Sequence, residues 1–141
     1  MKSEDYFINI QASMLKLCIE YAKQDVDNIY IYCFYDNKMS YVDFFFKIKG
    51  NILGKHEIIE NKSDKAQLDA LRVLLYNLEK INELYVKNKK EMPREMKIIY
   101  NEKTKGIQST YNYDPSLSLG DAKYAGDLKK EWFEELKNIK E

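Results

Sequence analysis

The sequence predicts an α+β fold with a single domain over residues 1–141. Segments with apolar residues at helical spacing lie between runs of short β-branched and aromatic segments, without one-to-one alternation of strand and helix. A chain of 141 residues also suits one domain that buries a core without disulfides or metals. We therefore expect an N-terminal helix, an antiparallel meander of about three strands, a long helix, a β-hairpin and a C-terminal helix, with the helices on one face of the sheet.

The first helix is predicted over residues 4–23, where apolar residues recur every three or four positions after Ser3, a residue type that suits a helix N-cap. Residues 29–35 are β-branched and aromatic, which favours a strand. In the following strand alternate side chains point to opposite faces. One of its two sets is expected to face the core: Val42, Phe44, Phe46 and Ile48.

Phe45 points away from the face that carries Phe44 and Phe46. Two places are open to it: it packs beneath the N-terminal helix, or it is exposed as a contact residue.

The Gly-Asn pair at 50–51 predicts a tight hairpin turn, because both residues tolerate positive φ better than most. A third strand is expected to follow at about 52–59.

The strongest helical pattern begins at Ser63, whose side-chain oxygen can cap free backbone N–H groups. The helix is predicted to continue to about residues 88–90, because Pro93 prevents further helix soon afterwards. A single apolar stripe is expected along it. The stripe consists of Leu68, Leu71, Leu75, Leu78, Ile81 and Tyr85.

Two further strands are predicted at 96–100 and 107–113, joined by a loop that ends in Gly106. A connector containing Ser, Gly and Asp covers residues 115–126. The last helix is expected at about 127–139, with its apolar residues on one face.

The sequence offers little material for catalysis. His56 is the only histidine and is predicted to be a surface residue of a strand, so a histidine-based nucleophilic motif has no good candidate. One histidine with Cys18 and Cys33 at unrelated spacings makes no metal site, and the five glycines form no phosphate-binding loop. We therefore predict no catalytic residue, no metal site and no cofactor, and a protein that is not an enzyme.

The net charge of the chain indicates which class of partner to expect, and its N-terminal residues indicate the compartment. The formal net charge is zero, which argues against a dedicated nucleic-acid binder. The first ten residues carry acids where a signal peptide needs a basic start and an apolar run, and no apolar stretch is long enough to span a membrane. We expect a cytoplasmic protein without membrane contact, in which Cys18 and Cys33 are buried thiols; a disulfide between them is the alternative.

Several segments together, in their order and spacing, resemble the YezG-like immunity proteins, antitoxins encoded beside secreted toxins of Gram-positive bacteria. The resemblance covers about residues 14–135. The segments that carry it are DNIYIY at 27–32, FFKIKGNI at 45–52, EMPREMKIIY at 91–100, YNYD at 111–114 and the late Trp132-Phe133 pair.

The resemblance implies an immunity protein that binds a cognate toxin of a type VII secretion system, often a nuclease, and neutralises it stoichiometrically. That toxin would be encoded by a neighbouring gene. The family offers no catalytic motif or interface residue to carry over. Two alternatives stay open: a non-enzymatic adaptor or secretion chaperone unrelated to toxins, and a small enzyme whose active site is assembled only in the fold.

A partner-binding surface is predicted at the end of the last strand, the connector and the last helix. Carboxylates there could imitate phosphate towards a basic nuclease, and tyrosines beside them would supply anchors that are desolvated on binding. Asp114 and Asp127 have a simpler explanation as strand-ending and helix-capping residues. The predicted surface consists of Tyr111, Tyr113, Asp114, Asp121, Asp127 and Glu131.

Overall fold

The computed structural model describes residues 3–36, 39–58, 63–119 and 122–139. The predicted α+β class and the predicted order of elements are confirmed. Within these ranges, two short 3-10 turns, Lys55–Glu57 and Pro115–Leu119, accompany the helices and strands. In chain order the helices and strands are α1 (Ser3–Ala22), β1 (Asn28–Tyr35), β2 (Ser40–Ile48), β3 (Asn51–Gly54), α2 (Asp64–Lys87), β4 (Glu95–Asn101), β5 (Gly106–Asn112) and α3 (Ala122–Lys137).

The five strands form one antiparallel sheet in the order β3-β2-β1-β4-β5. The first strand of the chain is therefore the central strand. Ile31 lies opposite Phe44 of β2 on one side and opposite Ile98 of β4 on the other. The meander and the hairpin thus share one sheet, and β3 and β5 are its edges.

Helices α1 and α2 pack on one face of the sheet. The odd-numbered residues of β1 from Ile29 to Cys33 point into this core, and the predicted inward set of β2, from Val42 to Ile48, is confirmed. Both cysteines are buried here as free thiols. The apolar residues that α1 buries against this face are Ile10, Met14, Leu15, Cys18, Tyr21 and Ala22.

The third helix lies on the opposite face, so the prediction that the helices share one face is wrong for α3. The other set of β1 side chains, including Tyr32 and Phe34, packs with Trp132 and Ala125 of α3 in a second core. The physical reason is that β1 is apolar on both faces, and such a strand needs cover on both. The molecule therefore has three layers: two helices, the sheet and one helix.

Phe45 occupies neither of the two places proposed for it. It is 1% exposed and lies beneath α3, not beneath α1. Its ring stacks on Tyr30 with the centroids 4.9 Å apart and meets Trp132 and Phe133 edge-on at 5.2 and 5.1 Å. Phe45 is thus a centre of the second core.

The long helix begins where the sequence predicts. The Ser63 hydroxyl accepts a hydrogen bond from the backbone N–H of Ala66 at 3.1 Å, which confirms the N-cap. The buried stripe of α2 is rotated about the helix axis relative to the predicted stripe. Leu68 is 51% exposed, whereas Leu74, which is absent from the predicted stripe, is fully buried. The buried apolar residues of α2 are Ala70, Leu74, Leu78 and Ile81.

Replacing Leu74 by alanine is expected to cost about 2–5 kcal/mol of unfolding free energy, because it opens a cavity in the first core. Leu68→Ala removes the same atoms from an exposed position and is expected to change stability by no more than about 0.5 kcal/mol. Urea denaturation of both variants measures the difference. Equal losses would contradict the rotated stripe.

Two other boundaries differ from prediction. Strand β3 ends at Gly54, and His56 lies in the 3-10 turn that follows and not in a strand; residues 59–62 lie outside the described part. Helix α3 begins at Ala122, earlier than predicted. Asp127 therefore lies inside the helix and does not cap it.

Candidate functional site

An open groove lies where α1, α2 and the segment after β5 meet. It has a volume of about 410 Å³ and a mainly apolar lining. We call it the aromatic groove. Its lining residues are Glu4, Phe7, Ile8, Leu84, Tyr85, Asn88, Lys90 and Tyr113.

Phe7 contacts two other aromatic side chains of this region. Its ring meets that of Tyr85 edge-on at 6.2 Å and that of Tyr111, on β5, at 6.4 Å. Tyr113 also lines the groove beside Tyr85. Burial, followed by the nearby Tyr113, raises the pKa of Tyr85 to about 12. Tyr85 therefore stays protonated at physiological pH, and its hydroxyl remains able to donate a hydrogen bond.

Apolar surface is exposed in and around the aromatic groove. Ile8 is 56% exposed, Tyr113 42% and Tyr111 39%. Glu4 and Lys90 are exposed members of the lining, so the described part of the lining carries one charge of each sign. An apolar floor with polar and charged edges is the usual arrangement of a protein-binding surface, with tyrosines as anchors.

The structure does not assemble the predicted partner-binding surface as one patch. Tyr111 lies opposite Met96, a first-core residue, and so faces the α1 and α2 side. Tyr113 lines the aromatic groove. Asp127 and Glu131 are exposed on α3, which covers the opposite face of the sheet. Asp121 lies outside the described residues.

Asp114 makes the turn that leaves β5. Its carboxylate accepts a hydrogen bond from the backbone N–H of Ser116 at 3.0 Å, and this contact holds the pKa of Asp114 below its usual range. The side chain is exposed. Asp114 therefore acts as a turn residue, as the simpler explanation predicts. The carboxylate of Asp114 also remains accessible to a partner.

A buried carboxylate that sequence reasoning did not single out is Asp43 on β2. It is 5% exposed, and its two oxygens contact Lys55 at 3.0 Å and Lys129 at 3.1 Å. The carboxylate also accepts a hydrogen bond from the N–H of Phe44 at 2.8 Å. Two lysines and an amide thus occupy this carboxylate, which suits it to anchoring α3 on the sheet better than to acting as a base.

The two cysteines and the histidine form no reactive site in the described part of the chain. Burial raises the pKa of the Cys33 thiol to about 12 and raises that of Cys18 further, so both thiols stay protonated. His56 is exposed in its turn, with Nε2 3.9 Å from Glu57. Within the described part of the chain, no three Cys, His, Asp or Glu side chains are grouped so as to hold a metal ion.

The residues that complete the groove, Phe7 and Tyr85, were not predicted as functional. Each belongs to the ordinary apolar pattern of its own helix, and no sequence signal marks the place where the two helices meet.

Across the described helices, none combines the length and the hydropathy that crossing a bilayer requires. Comparison with known proteins gave no match, either to a family model or to a curated protein.

Proposed function

We propose that this chain is an immunity protein that neutralises a cognate secreted toxin by direct stoichiometric binding at the aromatic groove. The observation that carries the proposal is the exposed apolar surface of that groove, with Tyr113 and Ile8 accessible beside the half-buried Phe7 and Tyr85. The resemblance of five sequence segments to YezG-like immunity proteins supports the choice of a toxin, acting in the cytoplasm, as the partner.

The chemistry of the groove favours binding over catalysis. Among the described lining residues, the carboxylate of Glu4 is exposed, and Lys90 lies on a different segment of the chain. An acid–base site needs titratable groups that converge in a place from which water is excluded. An anchor site needs apolar area that loses water on contact, and Tyr113 and Ile8 provide it.

The separation of the predicted residues changes where the toxin is expected to bind. The tyrosines and the α3 carboxylates lie on opposite sides of the sheet, so a partner that fills the aromatic groove reaches Asp127 and Glu131 only by extending round the sheet. We place the anchors of the interface in the groove and assign the acids of α3 at most a long-range effect on association rate.

The test is to purify the chain with the protein encoded by its neighbouring gene and to measure the dissociation constant. Ile8→Glu puts a charge into the groove and is expected to raise that constant by about 10–100-fold, as loss of an interface anchor does. Ile139→Glu is the matched control, because Ile139 is 59% exposed and lies outside the groove. It is expected to bind like the parent, and both variants should keep the melting temperature.

Each outcome separates one part of the proposal from the rest. If Ile8→Glu binds normally and Asp127→Lys does not, the groove is the wrong surface and the acids of α3 are the right one. If the bound neighbour is a toxin that keeps its full activity at equal stoichiometry, the chain is a chaperone or adaptor. If no neighbouring protein binds, the immunity proposal fails.

A further inference from the structure

The strand β5 is an edge that lacks the usual protection. Among the described strands it pairs only with β4. Its seven residues, Gly106–Asn112, include neither a charged residue nor a proline, and all except the half-buried Ser109 are exposed. Native edges are commonly short or carry charges, prolines or bulges that prevent further pairing. The other edge, β3, is protected by its length of four residues.

The backbone groups of β5 that are free to bond can be identified by alternation. The carbonyl of Asn112 accepts a hydrogen bond from the N–H of Arg94 at 2.8 Å, so Asn112 directs its backbone groups towards β4. In an antiparallel ladder successive residues direct these groups to opposite sides. The N–H and C=O of Ile107, Ser109 and Tyr111 therefore point outward, away from β4.

We propose that β5 pairs antiparallel with β5 of a second copy of this chain, so that two five-stranded sheets join into one. The two-fold axis passes beside Ser109, which lies opposite the partner's Ser109. Ile107 then lies opposite the partner's Tyr111, and the same pair recurs on the other side of the axis. All three outward-pointing residues meet outward-pointing residues, so this register uses every free N–H and C=O between Ile107 and Tyr111.

The side chains match in this register. Ile107 lies opposite Tyr100, and Tyr111 opposite Met96, so both point to the α1 and α2 side of the sheet. They are 44% and 39% exposed in the single chain, and each would cover the other across the interface. A β-branched residue opposite an aromatic one is a favourable cross-strand pair.

Charges at the two ends also fit a second copy. The turn before β5 carries Lys103 and Lys105 with one acid, Glu102, and is therefore net positive. Asp114 follows β5 at its other end. Antiparallel pairing about Ser109 brings the start of each β5 to the end of the partner's β5, so the basic turn of one copy lies near Asp114 of the other. No like charges are brought into opposition along the paired strands.

The first experiment measures the mass of the purified chain in solution by light scattering over a range of concentrations. We expect twice the 16.8 kDa of one chain at high concentration. Ser109→Pro removes the N–H that bonds across the axis but none that bonds to β4, and proline is tolerated at such edge positions. It is expected to weaken the dimer on the order of 100-fold. Ser109→Ala keeps the N–H and should dimerise like the parent.

The second experiment tests the register and does not depend on tolerance of proline. Ile107→Lys with Tyr111→Lys, and Ile107→Glu with Tyr111→Glu, each place like charges opposite one another, so each double variant should be monomeric. An equimolar mixture should form a heterodimer, because every opposed pair then has opposite charges. The chain is tested alone, so the outcome is independent of any toxin. A parent chain that stays monomeric, or a mixture that forms no heterodimer, would overturn the proposal.

Discussion

Replacing Trp132 by alanine is expected to lower the free energy of unfolding by about 3–5 kcal/mol. Trp132 is 6% exposed and is one of the α3 side chains that pack on the sheet in the second core. Its ring lies 5.2 Å from that of Phe45, 5.7 Å from that of Tyr30 and 6.2 Å from that of Tyr32. Removal leaves a cavity that these rings, held by their strands, cannot fill.

Urea denaturation followed by far-UV circular dichroism is the suitable measurement, because Trp132 is the only tryptophan and its loss removes the fluorescence signal. Glu131→Ala changes the neighbouring, exposed residue and should stay within about 0.5 kcal/mol of the parent. A Trp132→Ala variant as stable as Glu131→Ala would mean that α3 contributes little to the fold. In the parent, tryptophan fluorescence reports directly on whether α3 is docked.

Replacing Asp43 by alanine is expected to cost on the order of 3 kcal/mol. Removing one partner of a buried ion pair leaves the other charge without compensation, and here two lysines lose the same carboxylate. Lys55 and Lys129 keep side-chain exposures of 18% and 24%, so part of their charge is recovered by water, which places the cost at the lower end of the range for buried pairs.

Asp69→Ala is the matched control, since Asp69 also contacts two cations, Lys65 at 2.8 Å and Arg72 at 3.6 Å, but on the open surface of α2. Its loss of stability should be much smaller, because solvent screens exposed pairs. Thermal melting of both variants compares the two sites. A similar shift in melting temperature for Asp43→Ala and Asp69→Ala would show that Asp43 does not anchor α3.

Local patterns predicted the elements well because their causes are local. The alternation of β2 fixes which of its side chains share a face, and Ser63 caps α2 through atoms three residues away. The face chosen by α3 has no local cause: its stripe around Trp132 could be buried on either side of a sheet. The signal lay instead in β1, where residues 29–35 are apolar on both faces and require two covering layers.

The candidate site was predictable only in part for the same reason. Tyr113 could be named as a contact residue from its position at the end of a strand. Phe7 and Tyr85 could not, because each is one more apolar residue on an amphipathic helix, and their proximity arises from how α1 crosses α2. The acids on α3 were grouped with the tyrosines by nearness in sequence, and the sheet separates them in space.

The central position of β1 has a consequence for the order in which the protein is made. β2 follows β1 directly in the chain, but β4 must wait until the whole of α2 has been synthesised. At a translation rate of about 5–20 residues per second, one side of β1 stays unpaired for roughly 3–12 seconds. Strand β1 contains no charged residue from Asn28 to Tyr35. The nascent chain therefore passes through a state prone to self-association on the ribosome, and chains released before β4 is made should aggregate.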